Sequence, residues 1–468
     1  MKKIYFRADA STTIGYGHFI RTLALADMLK EDFACTFFTC HPTPYQVDEM
    51  SKVCPHIALC EETHYDDFLL HLEGDEIVVL DNYFFTTDYQ RAIKEKGCRL
   101  VCIDDMHDKH YVADVVINHG LTNSALFDVE PYTKLCLGFD WALLRKPFLE
   151  ASKKYHAPVD RVGKVAICFG GSDEYDNTGL FIKKILATSE VESIIAIVGD
   201  TYKPVYKQLY DKRVKYYSCL SAGEMASLFC DVDLVVCSAS SVCIEALACG
   251  ATIAIGWYVD NQMDLYKLLV DRGLAIPLGN IKQSLRQDIS LKTLRNEGII
   301  SKYIQQRYTN LFFNLSQGSY LRDMREEDVD LLYSWINDPE DRKNSYNTYE
   351  IPYSEHCKWF ARCMFDNDTI IYILVHDESI IGQIRLYINR GVADIGYSIA
   401  PEYRGMGYGH VLMKLLNREV DWKDNIHTLI AEVKDCNISS QRVFIKAGYR
   451  EGEKALAGQR VLTYTKNF

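Results

Sequence analysis

The chain has 468 residues, 48% of them hydrophobic and 25% charged, and a net charge of −12. At ~150 residues per folding unit that is a globular protein of roughly three units, and the acidic excess argues against a nucleic-acid partner, which needs basic charge to displace counterions from phosphate. The 16 cysteines are spread thinly, several inside apolar runs such as Val101-Cys102-Ile103, where free thiols pack as small hydrophobes; neither a disulfide scaffold nor a zinc site, and no other metal site, is expected.

Charge follows the first methionine too soon for a secretory signal, so with its reduced thiols a cytoplasmic protein is expected. Short apolar runs at Ile4–Arg7, Cys35–Thr39, Ile77–Leu80, Leu100–Ile103 and Val115–Asn118 read as strands buried on both faces, with helices at His18–Lys30 and Thr87–Lys96 between them. Strands alternating with helices predict a parallel sheet with right-handed crossovers. After a connector around Ala151–Gly163 the pattern restarts at Lys164–Gly170 and runs through Ile194–Gly199, Val214–Tyr217, Leu234–Cys237 and Thr252–Trp257. The expected architecture is α/β: two Rossmann-like lobes, 1–150 and 160–300, with ligands bound in the crevice beyond the carboxyl ends of the strands. Leu234–Trp257 is long enough to mimic a membrane span. Its Ser238, Ser240, Ser241, Glu245 and Gly250 instead predict strand, serine turn, short helix and strand, with no membrane partner. Residues 291–318 read as a closing helix and linker, and 319–468 as a separate mixed α+β domain.

In the first lobe, Gly15-Tyr16-Gly17-His18-Phe19-Ile20-Arg21 makes a strand-to-helix turn where backbone can approach a ligand closely. A histidine at such a helix start is held neutral and can take a proton near pH 7; a plain capping histidine suits the same place. Asp81-Asn82-Tyr83 and Asp104-Asp105 follow buried strands and point where substrate would lie, although aspartate there also serves as a helix cap. In the second lobe, Gly170-Gly171-Ser172-Asp173 is a glycine-rich turn suited to phosphate. Ser240 and Ser241 open a helix whose amides and hydroxyls would meet a diphosphate, while Glu245 would accept ribose hydroxyls. Tyr258 to Gln262, with Asn261, would close over the crevice.

Together these motifs resemble the UDP-2,4-diacetamido-2,4,6-trideoxy-β-L-altropyranose hydrolases of the pseudaminic acid pathway, whose two lobes form the GT-B fold of MurG-like glycosyltransferases. The resemblance covers about residues 1–290, including Gly138 to Arg145. It implies that His18 is the general base activating water at the anomeric carbon, that UDP leaves without a metal, and that Gly15, Gly17, Arg21, Tyr83, Gly171, Ser172, Ser240, Ser241, Glu245 and Asn261 bind the UDP-sugar.

In the third domain, Ala393 to Ile399 reads as a strand with a bulge at Gly396. Arg404-Gly405-Met406-Gly407-Tyr408-Gly409 then presents successive amides and a helix start to a pyrophosphate. With the strand Leu429–Val433 and the Asn437-led helix ending at Gly448-Tyr449, this resembles the GNAT acetyltransferases over about 320–468. The resemblance implies acetyl-CoA held by Ile399, Arg404, Gly405, Gly407, Tyr408, Gly409 and Asn437, with Glu432 as base. Many members place an acidic tyrosine seven residues after that Asn; here Phe444 stands there, leaving water, Tyr403 or Tyr449 to protonate the thiolate. Trp335 to Phe360 also resembles nucleotide-sugar N-acetyltransferases. The joint expectation is acetylation of a UDP-4-amino-4,6-dideoxy-sugar followed by removal of UDP. A glycosyltransferase in place of the hydrolase, an inactive nucleotide-sugar sensor, and acetylation of a protein amine are the alternatives.

Overall fold

The computed structural model describes the chain except residues 11–14, 157–159, 171–172, 174, 189, 200–201, 203–210, 283–290, 292, 295–297, 422, 424 and 457–458, and the side chains of 454–456, 459 and 460. It forms two compact units: Met1–Val129 with Cys136–Thr309, and Glu130–Leu135 with Asn310–Phe468. Among the described residues no disulfide joins any of the sixteen cysteines.

The first unit holds two large sheets and a two-stranded pairing of His110–Tyr111 with Asp128–Val129. The strands of the first are β1 (Lys3–Ala8), β2 (Ala34–Cys40), β3 (His56–Leu59), β4 (Ile77–Asp81), β5 (Arg99–Ile103), β6 (Val115–Asn118) and β7 (Lys134–Leu137), in the order 3-2-1-4-5-6-7. The strands of the second are β8 (Lys164–Cys168), β9 (Ser193–Val198), β10 (Val214–Ser218), β11 (Leu234–Ser238), β12 (Thr252–Trp257) and β13 (Ile276–Asn280), in the order 10-9-8-11-12-13. Helices cover both faces, so a central strand such as β4 is buried at all five positions and reads as an unbroken apolar run. In each sheet the winding reverses between the first strand and the fourth, β1 beside β4 and β8 beside β11, both parallel. A reversal leaves a crevice where the two connections diverge. The residues just past β1, β4, β8 and β11 are therefore placed to meet a ligand. Helix α1 (Gly17–Leu29) follows β1, and α2 (Ser241–Ala248) follows β11. The stretch 234–257 is thus strand, helix and strand, and among the described residues no helix is long and apolar enough to cross a membrane.

The boundary between the units falls within helix α3 (Ile304–Ser316). Glu130–Leu135 departs from the sequence reading, which places it inside the first lobe: it belongs to the second unit, where Arg325 donates to the carbonyls of Glu130 and Thr133, and the Tyr320 hydroxyl donates to that of Tyr132 at 2.9 Å. The second unit adds helices α4 (Val329–Ile336), α5 (Pro339–Asn344), α6 (Tyr353–Phe365), α7 (Tyr408–Val420) and α8 (Ile438–Lys446). Its sheet comprises β14 (Ser319–Asp323), β15 (Thr369–His376), β16 (Ser379–Asn389), β17 (Val392–Ile399), β18 (Thr428–Lys434), β19 (Arg450–Leu456) and β20 (Gln459–Asn467), in the order 14-15-16-17-18-20-19. On one face Ile384 and Leu386 of β16 pack with Leu412 and Leu416 of α7. On the other, Ile371 and Ile373 of β15 pack with Leu332, Trp335 and Phe360 of α4 and α6.

Two features of this sheet matter for function. β17 and β18 pair in parallel for only three residues, Val392–Asp394 with Thr428–Ile430, and then diverge. The register of β17 on β16 runs without a break through Arg385 opposite Gly396, so the expected bulge is absent. Gly396 instead leaves room for the Arg385 guanidinium, which a Cβ there would approach to 3.0 Å.

Candidate active sites

In the first unit a cavity of about 440 Å³ lies between the carboxyl ends of the two sheets, and residues of both line it. His18, in the first turn of α1, borders it while only 5% exposed. Its Nδ1 lies 2.7 Å from Asp81 Oδ1 at the end of β4. Asp81 is fully buried and every lone pair facing the protein is used: Arg21 donates to both oxygens at 2.6 and 2.7 Å, and Thr22 donates to Oδ2 at 2.8 Å. Burial alone would raise this carboxyl, but Arg21 and then His18 outweigh it and hold it well below the usual carboxylate range. Asp81 Oδ1 and Arg21 Nη2, the latter 3.0 Å away, both face Nδ1 and hold the ring in place, with Nε2 free of them.

The network continues outward. Arg21 also donates to Asp105 at 2.9 Å, Tyr83 donates to the same Asp105 oxygen at 3.3 Å, and Asn261 of the second lobe donates to the Tyr83 hydroxyl at 2.6 Å. The Tyr83 ring meets the His18 ring edge-on at 4.6 Å. Burial, then Asp105, push the Tyr83 phenol upward, so it stays protonated and available as a donor. Gly15 and Gly17 border the cavity with nothing within 4 Å of where a Cβ would stand, which leaves their backbone open to a ligand. Across the cavity, Ser240 and Ser241 stand at the start of α2.

One sequence expectation changes, one falls outside the described residues, and two lining residues were passed over. Glu245 is buried away from the cavity, with both oxygens held by Arg145 at 2.7 and 2.9 Å, because its position one turn into α2 turns it toward the body of the lobe rather than toward a ribose. Gly171 and Ser172 lie outside the described residues. Beside them, Asp173 accepts from the backbone of Asn177 and Thr178 at 2.9 and 2.8 Å, adding to the Asp176 cap of the helix Asn177–Leu186. The sequence reading passed over His119 and Lys282, which also line the cavity. Burial, then the nearby Arg21, push the His119 imidazole down to about 4, and its Nδ1 is buried with no hydrogen-bond partner. The rule that singled out Asp81 and Asp105, a polar residue just past a buried parallel strand, applies equally to His119 after β6.

In the second unit β17 runs on past its short pairing with β18 into the loop from Ile399 to Gly409. Gly405 and Gly407 have φ of +76° and +91°, a region costly for residues with a Cβ, and both are exposed with open space where a side chain would stand. Their amides and the first turn of α7, starting at Tyr408, form a concave row of donors. At Gly409 a Cβ would lie 3.1 Å from Val443 and 3.6 Å from the Tyr397 ring, so glycine lets α7 sit close against α8 and β17. Arg404 departs from its expected role. Its guanidinium is engaged by Asp338 at 2.7 Å and by Glu340 and Asp341 at 3.2 Å, and its Nε donates to Ile399 O at 3.1 Å. It anchors the loop to α5, drawn there by three carboxylates near the start of that helix. Asn437 caps α8, accepting from Ser440 N at 3.1 Å. Glu432 is half-buried on β18 with the Tyr346 hydroxyl at 3.4 Å.

Phe444 is a core residue, stacked on Tyr464. Tyr449 is buried with its hydroxyl donated to Asn417 at 3.0 Å, and Tyr403 packs edge-on against Tyr408. A phenol the sequence reading did not consider, Tyr397, stands on β17 beyond the point of divergence, beside Gly409 and 3.0 Å from Ser440 Oγ. Burial raises it.

Residues 320–450 match the family model described as Acetyltransferase (GNAT) domain. An uncharacterized protein of Methanocaldococcus jannaschii is 23% identical over 483 aligned residues, spanning 97% of this chain and 97% of its own length, so it carries both halves. The UDP-2,4-diacetamido-2,4,6-trideoxy-beta-L-altropyranose hydrolase of Campylobacter jejuni is 28% identical over 285 residues, 58% of this chain and 98% of that enzyme. The spore coat polysaccharide biosynthesis protein SpsG of Bacillus subtilis is 23% identical over 290 residues, 58% of this chain and 82% of that protein. The chain therefore joins an N-terminal half that resembles this hydrolase to a C-terminal GNAT acetyltransferase domain.

Proposed function

We propose that the chain is a bifunctional cytoplasmic enzyme of pseudaminic acid formation: the second unit acetylates a UDP-4-amino-4,6-dideoxy-sugar with acetyl-CoA, and the first unit, acting as a GT-B-type hydrolase, removes UDP from the diacetamido product. The observation that carries the hydrolytic half is the His18–Asp81 pair at the wall of a two-lobed cavity. Nε2 of His18 takes a proton from water as the oxygen attacks C1 of the sugar, the C1–O bond to the diphosphate breaks, and configuration inverts. Ser240, Ser241 and the start of α2 stabilise the departing phosphates. Tyr83 and Asn261 orient the sugar. Nothing in this sequence of events calls for a metal.

In the acetyltransferase half, the amides of Gly405, Gly407, Tyr408 and Gly409 cradle the pyrophosphate of acetyl-CoA, and its pantetheine enters where β17 and β18 part. The substrate amine attacks the thioester carbonyl, Glu432 accepts the amine proton through water, and the C–S bond breaks. Tyr397, kept protonated by its buried site, replaces Phe444 as the donor to the leaving thiolate.

The test is to incubate the full chain with UDP-4-amino-sugar and acetyl-CoA and follow products by mass spectrometry. With no acceptor present, free sugar and UDP are expected from wild type. His18→Ala is expected to stop UDP release, a loss on the order of 10²–10⁴-fold, while acetylated UDP-sugar still accumulates. Unchanged UDP release in that variant refutes the proposed base.

A further inference from the structure

The polar face of β16 carries a group that neither the sequence motifs nor the comparisons assign. Side chains alternate along a strand, and Gln383, Arg385 and Tyr387 share the face opposite Ile384 and Leu386, whose face meets α7. The Arg385 guanidinium is held from two sides. Trp359 of α6 lies with its ring centre 5.7 Å from the guanidinium carbon, and the Trp359 indole is itself fixed by donating to the Tyr387 hydroxyl at 3.1 Å. Gly396 lies beneath, where a Cβ would come 3.0 Å from Nη2. Yet Arg385 makes no hydrogen bond and no ion pair among the described residues, and its Nε is buried without a partner.

Its surroundings are incomplete in the same way. Arg342, whose charge is felt by Arg385, spends its Nη groups on the carbonyls of Asn347 and Tyr349 and on Ser345 Oγ, and its Nε is also buried without a partner. Gln383 Oε1 and Asp341 Oδ2 are buried and unpartnered too. Native proteins leave few such atoms. The two guanidinia, neither within ion-pair distance of a carboxylate among the described residues and each with a buried unpartnered Nε, describe a site completed by an anionic ligand, and the two acceptor oxygens fit its hydroxyl or amino groups.

We infer that Arg385, reinforced by Arg342, binds the diphosphate of the acetyl acceptor, so that the acetyltransferase selects phosphorylated amino sugars. This rests on the reading of the second unit as an amino-sugar acetyltransferase and adds the residues that choose its substrate class. The diphosphate of acetyl-CoA is a second source of the same chemistry, but its donors lie at Gly405–Gly409; the assay separates the two.

The full chain is assayed with acetyl-CoA and either the UDP-4-amino-sugar or the same amino sugar as its methyl glycoside. For Arg385→Gln the KM for the UDP-linked acceptor is expected to rise about 10- to 100-fold, the range of a lost charged hydrogen bond. The KM for acetyl-CoA and the rate with the methyl glycoside stay at wild-type values, which a merely structural role would not spare. Arg385→Lys recovers part of the loss. Inorganic pyrophosphate inhibits wild type in competition with the UDP-linked acceptor and inhibits Arg385→Lys more weakly, a readout that survives if the glutamine variant fails to fold. An unchanged acceptor KM, an equal loss with both acceptors, or a rise confined to acetyl-CoA overturns the inference and leaves the acetyltransferase standing. Wild type that ignores every amino sugar refutes the broader function and this site with it.

Discussion

Around His18 the site is made of side chains already paired with one another: both Asp81 oxygens are saturated by Arg21, Thr22 and His18, and the chain of contacts runs on through Asp105 and Tyr83 to Asn261. The acetyltransferase site is made of backbone and of unfinished polar groups: glycine amides with nothing in front of them, a strand pair that stops after three residues, and guanidinia without counterions. The difference matches the demands on each. A general base must be oriented before substrate arrives, because a carboxylate behind an imidazole acts only in one geometry. A carrier with its own phosphates and amides brings half of the hydrogen bonds with it, so the protein supplies the complementary half.

The sharpest way to break this contrast is Asp81→Asn. An amide behind Nδ1 offers an N–H as readily as an oxygen and weakens the hold on the ring, so UDP release from an acetylated substrate is expected to fall on the order of 10²–10⁴-fold. Acetylation should be untouched, with circular dichroism reporting the fold. If hydrolysis proceeds at the wild-type rate, the paired imidazole is not the base.

Gly407→Val is the counterpart. A β-branched residue at φ +91° is strained and blocks the amides it borders, so acetylation should fall on the order of 10- to 100-fold through the KM for acetyl-CoA. Release of UDP from a pre-acetylated substrate should continue. Loss of both activities would mean that the two sites are not independent.

A smaller effect sharpens the first site. The His119 imidazole is held from the ordinary 6.5 down to about 4 in the folded state. The unfolded chain therefore binds the extra proton first, and the stability supplied by neutral His119 is present above about pH 6.5 and is lost as the pH falls toward 4. Up to about 3 kcal/mol is at stake. Urea unfolding of the first unit followed between pH 6.5 and 4 should show a shallower fall in His119→Gln than in wild type. Identical slopes would remove His119 from the set of buried neutral groups.

Most of the fold was legible in the sequence because parallel strands buried on both faces write themselves as short apolar runs, and 234–257 resolved into strand, helix and strand from its serines and Gly250 alone. That His18, Tyr83 and Ser240 line the cavity has a related reason: each follows a strand or opens a helix at a reversal of winding. What stayed hidden depends on partners distant in sequence. Nothing near Glu245 announces that Arg145, 100 positions away, will claim its carboxylate. Arg404 sits in a motif that suggests a phosphate ligand, and only the folded α5 reveals the carboxylates that hold it. Gly396 read as a bulge because local sequence cannot distinguish a glycine that bends a strand from one that makes room for a guanidinium.

The strip Glu130–Leu135 decides how the polypeptide can be divided. Burial, then the neighbouring Arg322, lower the Arg325 guanidinium to about 10, and its donors are directed at carbonyls of Glu130 and Thr133. A fragment starting at Asn310 would lose those acceptors and leave Arg325 to water, while the complementary fragment would retain Glu130–Thr133 without Arg325 and Tyr320. The second unit therefore draws on two separate stretches of the chain, so a single cut between the units leaves one of those stretches on the wrong side.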